Sequence, residues 1–533
     1  MGAPVTKKTV EVPSGEAKAR KAARQRAVEL ALESCQLWHG REDGPPQAFA
    51  SFERDGHTEH VALRSPAGRL WLQGLIWHST GEALSRQDTD GAMDSLEAAA
   101  VHDGPRYPVR VRVADLGDRI FLDLADDAWK VAEVTAEGWR VIPQSEAPVR
   151  FRRPDATEAL PVPVAGGNLA ELGRFIHAGP DALSLASAWT IAALTDRGPQ
   201  AILSLQGPQG SSKSTTGRIL QALVDPRRAV NRGRPKDDRA LGSAARNAWC
   251  LSFDNLSGLS PELADSLCRI ATGGAITAGK LYTDSDESVI EARRPVILSS
   301  ITDLTGRPDL RDRSVFVTLD PIGEDERLSE QAFWKRFEEA RPRLLGALLD
   351  ALSLALCRLP AILEAGGLDR MADAHAVMLA ASPALPGGEE TFRRDWARMR
   401  EGAVDGALEA SPLAQALLPL LEARKGWRAP AGDLLRELNG SRAVGIREPS
   451  TWPQSPRGLV SAVQRLQPAL RERGWIVQTG IRNESTAGHE RLVLIAPAEG
   501  IAERAGILEH DAGMTRAESE RRAALELMLG AAS

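Results

Sequence analysis

AILSLQGPQGSSKSTTGRILQALV, residues 201–224, decides how the rest of the chain is read. Residues 202–206 are a short apolar run bounded by Gly and Pro, which reads as a buried strand. A Gly-containing loop follows at 207–212. Lys213, Ser214 and Thr215 then open a helix with Ile219, Leu220 and Leu223 on one face. Strand, loop and helix in that order give the phosphate-loop pattern GxxxxGK[ST] its physical sense. Successive backbone N–H groups feeding a helix N-terminus make a concave anion site. Lys213 would place its ammonium between terminal phosphates, and the Ser214 hydroxyl would ligate Mg²⁺. Gly207, Pro208, Gln209, Gly210, Ser211, Ser212, Lys213, Ser214 and Thr215 are therefore the candidate nucleotide-binding residues, with ATP and Mg²⁺ as the implied cofactors. Ser212 departs from the pattern, standing where the second Gly belongs. A polar turn before an ordinary helix is the plain alternative.

Downstream, a polar and basic segment at 227–239 leads into a helix at 238–246. WCLSFDN, residues 249–255, reads as a buried strand ending in a carboxylate. Asp254 is thus the candidate that holds Mg²⁺ through water, against the alternative of a strand-end Asp capping Ser257 or the next helix. Asn255 follows where many related ATPases carry a catalytic Glu, and Glu262 and Asp265 are weak substitutes. A helix is expected at 261–271. Two strands, 275–282 and 288–294, flank the polar tip TDSDE, and a buried strand follows at 295–300. The segment 309–313 and a strand at 315–319 complete the region. This order is what an oligomeric ATPase ring requires. A polar strand end, Ser299 or Ser300, reads the subunit's own γ-phosphate, and an arginine, Arg313 or Arg311, completes the neighbour's site.

At ATGGAITAGKLYTDSDE, ARRPVILSSITDL and DLRDRSVFVTLDPI the chain resembles the phage and poxvirus primase-helicase group within superfamily 3. It is closer still to actinophage and prophage proteins of ATP-binding type. The group's T-G-G-D, A-R-x-L-Y and W-R-R-x-x-x-x-P-F stretches correspond loosely to 272–275, 278–282 and 311–322. The resemblance extends from about residue 152 to the C-terminal domain. It departs at Ser299 and Ser300, where the group has an Asn, and at Asn255. It implies a hexameric ring whose hairpin lines a central channel, with Lys280 as the leading phosphate contact and Arg293 and Arg294 next. Rings of such cations track a single DNA strand by charge, whatever its sequence.

Outside this region, 1–35 reads as a basic N-terminal extension and helix, and 36–151 as an α+β domain. Strands are expected there at 48–53, 60–64, 109–113, 119–124 and 139–142, with helices at 68–78 and 88–101. Trp38, Trp71, Trp77, Trp129 and Trp139 could stack bases, although core packing is the commoner use of tryptophan in such a domain. The stretch 152–167 reads as a linker by its Pro and Gly, followed by helix over 168–194. The ATPase core is set at 168–330 and a helical lid at 331–410. A winged-helix domain is set at 411–496, with helices at 411–424, 431–438 and 455–473 and strands at 475–480 and 491–495. It offers Arg457, Arg465, Arg471 and Arg473 on its third helix and Arg482 and Arg491 on the wing to duplex or forked DNA. A charged helical tail occupies 497–533.

The chain has 533 residues, enough for three or four domains. With 66 basic and 72 acidic residues the net charge is −6, so a nucleic-acid surface must be local. Four scattered cysteines, Cys35, Cys250, Cys268 and Cys357, support neither a zinc site nor a disulfide framework. The sequence reads as having no export signal and no apolar run of membrane-spanning length, hence as a cytoplasmic protein without membrane partners. The expected fold is α/β: a P-loop AAA+-type ATPase core with an α+β N-terminal domain, helical lid and C-terminal winged helix. The expected function is a ring-forming, ATP-dependent DNA helicase or translocase of a phage, prophage or plasmid replication system. One rival is a nucleotide-switched DNA-binding initiator with slow or no hydrolysis. The other is a defence-type signalling ATPase. A primase is disfavoured, because no metal-binding carboxylates stand out at 36–151.

Overall fold

In a computed structural model the protein is described over residues 15–40, 46–230, 232–256, 259–279, 287–300, 308–323, 328–409, 411–440, 452–482 and 491–498, with a few positions beyond. Contacts divide it into two units, one of residues 1–302 and 313–395, the other of 303–312 and 396–533.

The first unit begins with the helix Gly15–Ser34 and an antiparallel sheet of Gln36–Gly40, Gln47–Arg54 and His57–Ala62. Helices Pro66–Thr80 and Arg86–His102 close over it. Their apolar faces meet Phe52, Ala27 and Ala31 through Trp71, Leu72, Met93 and Leu96. Ser65 and Ser85 cap the two helices by accepting from Gly68 N and Asp88 N, supplying partners to N–H groups that a helix start leaves orphaned. Trp38, Trp71 and Trp129 are buried, so three of the five tryptophans serve the core; Trp77 is exposed.

A four-stranded antiparallel meander follows: Val113–Asp115, Ile120–Asp123, Lys130–Thr135 and Gly138–Pro143. The single strand expected at 109–113 is broken into Val109–Arg110 and Val113–Asp115. The break falls at Arg112, whose φ of 64° lies in the left-handed region. That turn sends the guanidinium inward to Asp225, a buried partner 113 residues away that no local pattern could announce. Lys130–Thr135 escaped the sequence reading because Glu133 interrupts its apolar face. Glu133 is nevertheless buried, and Arg140 Nε donates to it at 2.7 Å.

The centre of the first unit is a parallel sheet in the order Leu251–Leu256, Val296–Ser300, Ile202–Gln206, Ser314–Thr318. A one-residue bridge from Arg232 to Phe253 extends its outer edge. Every residue of 202–205 and 296–300 is buried, as parallel strands covered on both faces demand. The helix expected over 168–194 is instead a 3₁₀ turn, Leu169–Arg174, and a helix, Pro180–Ala192. The Gly179–Pro180 step separates them, since proline starts a helix readily and breaks one in its interior. The 152–167 stretch has no helix or strand but is laced down. Leu160 N donates to Leu124 O, Glu158 N to Pro226 O and Val164 N to Pro342 O.

Helix Glu330–Ala365 is long and apolar enough to cross a membrane by length and composition, which corrects the expectation that no such run exists. Its Phe337, Leu344, Leu345, Leu348, Leu349 and Leu352 are buried within the protein, so its apolar character is accounted for by packing.

The second unit carries helices Pro412–Arg424, Ala431–Gly440 and Pro456–Glu472. Its sheet has the order Trp427–Pro430, Arg491–Pro497, Trp475–Arg482 and is antiparallel throughout. Leu417, Leu421, Leu434, Leu438, Leu459, Val463 and Val493 form its core. Trp427–Pro430 was not foreseen. Four residues ending in proline make a weak strand signal, yet proline is tolerated on a sheet edge.

Candidate nucleotide-binding site

The loop after Ile202–Gln206 is built from unusual backbone angles. Gly207 and Gly210 have φ of 143° and 84°, and Ser212 has φ 55°. A Cβ on Gly207 would meet Leu319 O at 2.6 Å and Ser211 Oγ at 2.7 Å, so only glycine lets the loop close against the last core strand. Ser212 occupies the left-handed region that the second glycine of the pattern would occupy without strain, and its buried Oγ has no partner among the described residues. The helix Lys213–Val224 starts immediately after it, with Thr216, Ile219, Leu220 and Leu223 buried.

Lys213 is turned back over this loop. Its Nζ donates to Gly207 O at 2.8 Å and Pro208 O at 2.7 Å, and lies 3.4 Å from Ser211 Oγ. Ser214 Oγ donates to Asp254 Oδ1 at 2.9 Å across forty residues of sequence. Gln209 to Thr215, Asp254, Asn255, Ser299 and Ser300 together line a cleft of about 380 Å³. The residues fit the implied Mg²⁺ and ATP. A cation is folded onto loop carbonyls at the mouth of an amide cradle, and a hydroxyl and a carboxylate already touch where they would share a metal. Asn255 is exposed with φ 54°, and among the described residues lining the cleft Asp254 is the only carboxylate. Ser299 and Ser300 are each 2% exposed, and Ser300 Oγ donates to Leu256 O, so its hydroxyl is committed to the neighbouring strand.

The remaining candidates separate by burial. Arg313 is half-buried at the start of the last core strand, where its carbonyl accepts from Ile202 N. Arg311, the alternative, is 2% exposed; it donates to Asp312 and its carbonyl accepts from Arg400, so it is a structural residue of the second unit. Arg294, read as a DNA contact, is corrected likewise. It is 7% exposed, its Nε lies 2.9 and 3.0 Å from Ala245 O and Ala248 O, and its guanidinium lies over Trp249. Arg293 is committed to Asp196 at 2.9 Å. The hairpin strands Ala275–Gly279 and Glu287–Glu291 pair as expected, while Lys280 lies outside the described residues. In the second unit Arg457, Arg465, Arg471 and Arg491 are exposed; Arg473 is also exposed and ion-paired with Asp405. The tip of that hairpin, 483–490, lies outside the described residues, as does nearly all of the 497–533 tail.

Sequence reasoning missed the buried group beneath the site. Asp225, fully buried, ends the helix Lys213–Val224 and accepts from Arg112 Nε at 3.0 Å, Trp249 N at 2.8 Å and Cys250 N at 3.1 Å. Arg227 Nη1 lies 3.5 Å from its other oxygen. Burial, then the neighbouring Asp225, holds the Cys250 thiol well above its usual range, so it stays protonated.

Fold and site define an α/β protein built on a parallel sheet, with a glycine-containing loop facing a strand-end aspartate. The sequence places it further. Residues 167–382 match the family described as the actinomycete integrative conjugative element replication protein, and 413–507 match the C-terminal domain of the same RepA family. The two matches span more than half of the chain, which belongs to this family of replication proteins. That family is described from a conjugative element, where the sequence suggested phage, prophage or plasmid. A comparison with curated proteins gives no match. Similar solved structures include the SCCmec type IV Cch active helicase, 13% identical, with a TM-score of 0.46, covering 88% of this chain and 94% of that one. The NrS-1 C-terminal region is 10% identical, with a TM-score of 0.38 and coverages of 88% and 98%. The JCV helicase is 13% identical, with a TM-score of 0.22 and coverages of 35% and 58%.

Proposed function

We propose that the chain is an ATP-dependent, ring-forming DNA helicase or translocase that serves replication of its element. The observation that carries this is the convergence of Lys213, Ser214 and Asp254 on one glycine-built cleft. Bound Mg²⁺-ATP would supply the phosphoanhydride whose hydrolysis drives movement. Lys213 would give up its loop carbonyls to bind the terminal phosphates, Ser214 and Asp254 would hold the metal, and the loop amides would cradle the phosphates. Ser299 faces the cleft as the polar strand end. Arg313, half-exposed, is the residue offered to a neighbouring subunit, as an AAA+-type ring would use it. The strand order, with the loop strand between Val296–Ser300 and Ser314–Thr318, supports that core class. The Lys280 hairpin would follow one DNA strand.

Over 412–497 the order helix, strand, helix, helix, strand, strand supports a winged-helix reading. The third helix would present Arg457, Arg465 and Arg471 to duplex or forked DNA, held mainly by phosphate charge. A second reading is favoured by one observation: Asn255, not a Glu, follows Asp254, and among the described residues no other carboxylate lines the cleft. A site so built suits nucleotide-switched assembly with slow hydrolysis. Unwinding of a forked duplex by the purified protein separates the two. The helicase reading expects ATP-dependent strand separation that is lost in Lys213→Ala. The switch reading expects Mg²⁺-nucleotide retention and assembly without unwinding. A chain that neither retains nucleotide nor assembles refutes both.

A further inference from the structure

The basic segment at 227–239 takes no part in the phosphate-loop cleft. Two of its arginines instead line a separate cavity of about 530 Å³ in the first unit, together with Arg152, Arg153, His60 and Trp129. Two acidic residues, Glu59 and Asp155, also line it. Glu59 is engaged by Arg54 at 3.3 Å, and Asp155 is exposed.

The four guanidiniums differ in what holds them. Arg153 is neutralised by Asp123, whose oxygens lie 2.6 and 3.0 Å away, and is stacked on Trp129 at 3.7 Å. Arg152 donates, among its contacts, to Asn247 Oδ1 and Arg246 O. Arg227 is 4% exposed and shares the single carboxylate of Asp225 with Arg112, which sits closer to it; the Arg227 Nε has no acceptor among the described residues. Arg232 is half-buried; among the described residues its side chain makes no hydrogen bond or ion pair, and it feels the Asp225 carboxylate, already shared by Arg112 and Arg227, only by charge at longer range. Its backbone, by contrast, is fixed. Arg232 N donates to Ser252 O at 3.1 Å, and its carbonyl accepts from Asp254 N at 2.9 Å, so the side chain leaves from the rigid edge of the core sheet.

Buried donors without acceptors cost stability, and buried like charges add to that cost. A cavity that gathers both and opens to solvent is completed by an anion rich in acceptors. Guanidinium forks match tetrahedral oxyanions in particular. We propose that this cavity is a second phosphate-binding site, distinct from the phosphate loop, in which Arg227 and Arg232 take the oxygens of a phosphoryl group. The group belongs either to a free phosphate compound or to the backbone of a DNA strand. Burial lowers the proton affinity of both guanidiniums, a cost that an incoming oxyanion would relieve.

The test uses the full chain carrying Lys213→Ala, which removes the phosphate-loop lysine, so that the outcome does not depend on the helicase reading. Calorimetric titrations are made with inorganic pyrophosphate and, separately, with a short single-stranded oligonucleotide, before and after adding Arg232→Gln. Arg232 is chosen because Arg227, beside Asp225, supports the fold. Arg232→Gln is expected to weaken the bound ligand by about tenfold or more, the loss of a charge-assisted pair, and Arg232→Lys to recover part of it. Thermal unfolding of each variant checks that the fold is retained. Arg232-dependent pyrophosphate binding assigns the site to a free phosphate compound; Arg232-dependence for the oligonucleotide alone assigns it to DNA. Absence of binding for both ligands, or affinities unchanged by Arg232→Gln, overturns the proposal.

Discussion

Replacing Arg112 by leucine removes one half of a buried ion pair and leaves the other half in place. Arg112 and Asp225 side chains are 1% and 0% exposed, and their contact is 3.0 Å. Arg112 also donates to Asp123 O at 2.9 Å and Glu158 O at 2.7 Å. It therefore pins the meander, the 152–167 stretch and the end of the Lys213–Val224 helix to one point. Removing one partner of a buried pair costs about 3–5 kcal/mol, because the remaining charge stays desolvated. The two deserted carbonyls would add about 1–3 kcal/mol each in isolation, but contributions within one network do not simply add. Asp225 keeps its two backbone donors and Arg227, which pulls the expected loss toward the lower end, about 3 kcal/mol. Urea unfolding followed by tryptophan fluorescence measures it, with the midpoint of the transition that includes the first unit as the readout. The same loss is expected with and without nucleotide. A shift equivalent to less than about 1 kcal/mol, the size of an exposed pair, would refute the assignment of Arg112 as the anchor.

His60 gives a pH dependence. Burial, then the Arg150 and Arg153 guanidiniums, lower its pKa from the ordinary 6.5 to about 3, so the native state holds it neutral while the unfolded chain protonates it. Stability is then fully present above pH 6.5 and falls as the pH drops toward 3, by about 1 kcal/mol at pH 5.5; thermal scans should show this slope, flattened in His60→Gln. Ser212→Gly removes a left-handed non-glycine residue and a buried unpaired hydroxyl. A gain of up to about 1 kcal/mol is expected after the entropy of glycine is set against the strain, and a lowered melting temperature would refute it. Arg313→Ala should leave nucleotide retention nearly intact while abolishing turnover, and mixing it with Lys213→Ala protein should restore part of that turnover if the two residues act across a subunit joint. Failure of the mixture to recover any activity would count against a shared site.

The strand, glycine loop and helix of Ile202–Val224 were legible because their signals are local. Buried strand, glycine loop and Lys-Ser at a helix start lie within 24 residues, and the structure places that strand, loop and helix at Ile202–Val224 with Asp254 opposite. The helices and paired strands of the second unit were legible for the same reason, since their capping serines and apolar periodicities repeat over short spans. What escaped is non-local. Arg112 reads as one more surface arginine in a strand, and only a carboxylate 113 residues on explains its inverted backbone. Trp427–Pro430 escaped because edge pairing, not its own composition, makes it a strand.

The arginines show most plainly where a sequence stops informing. Arg294, Arg311, Arg313 and Arg232 all stand in polar or basic stretches and look equally available to DNA or phosphate. In the structure the first two are buried and bound to main-chain or adjacent acidic partners, and the last two are half-exposed. A guanidinium has five donors, and each one left unmet in the interior costs stability. Its surroundings therefore determine whether it contributes to the fold or remains available to an incoming anion. Arg313 stands half-buried at the start of the last core strand, and Arg232 lines the separate cavity. Exchanging their substitutions between the two assays should leave each unaffected: Arg313→Ala with unchanged pyrophosphate binding, and Arg232→Gln with unchanged nucleotide retention at an intact Lys213. A single variant that disables both would mean that the two clefts are one coupled site, and the separation argued from their linings would fail.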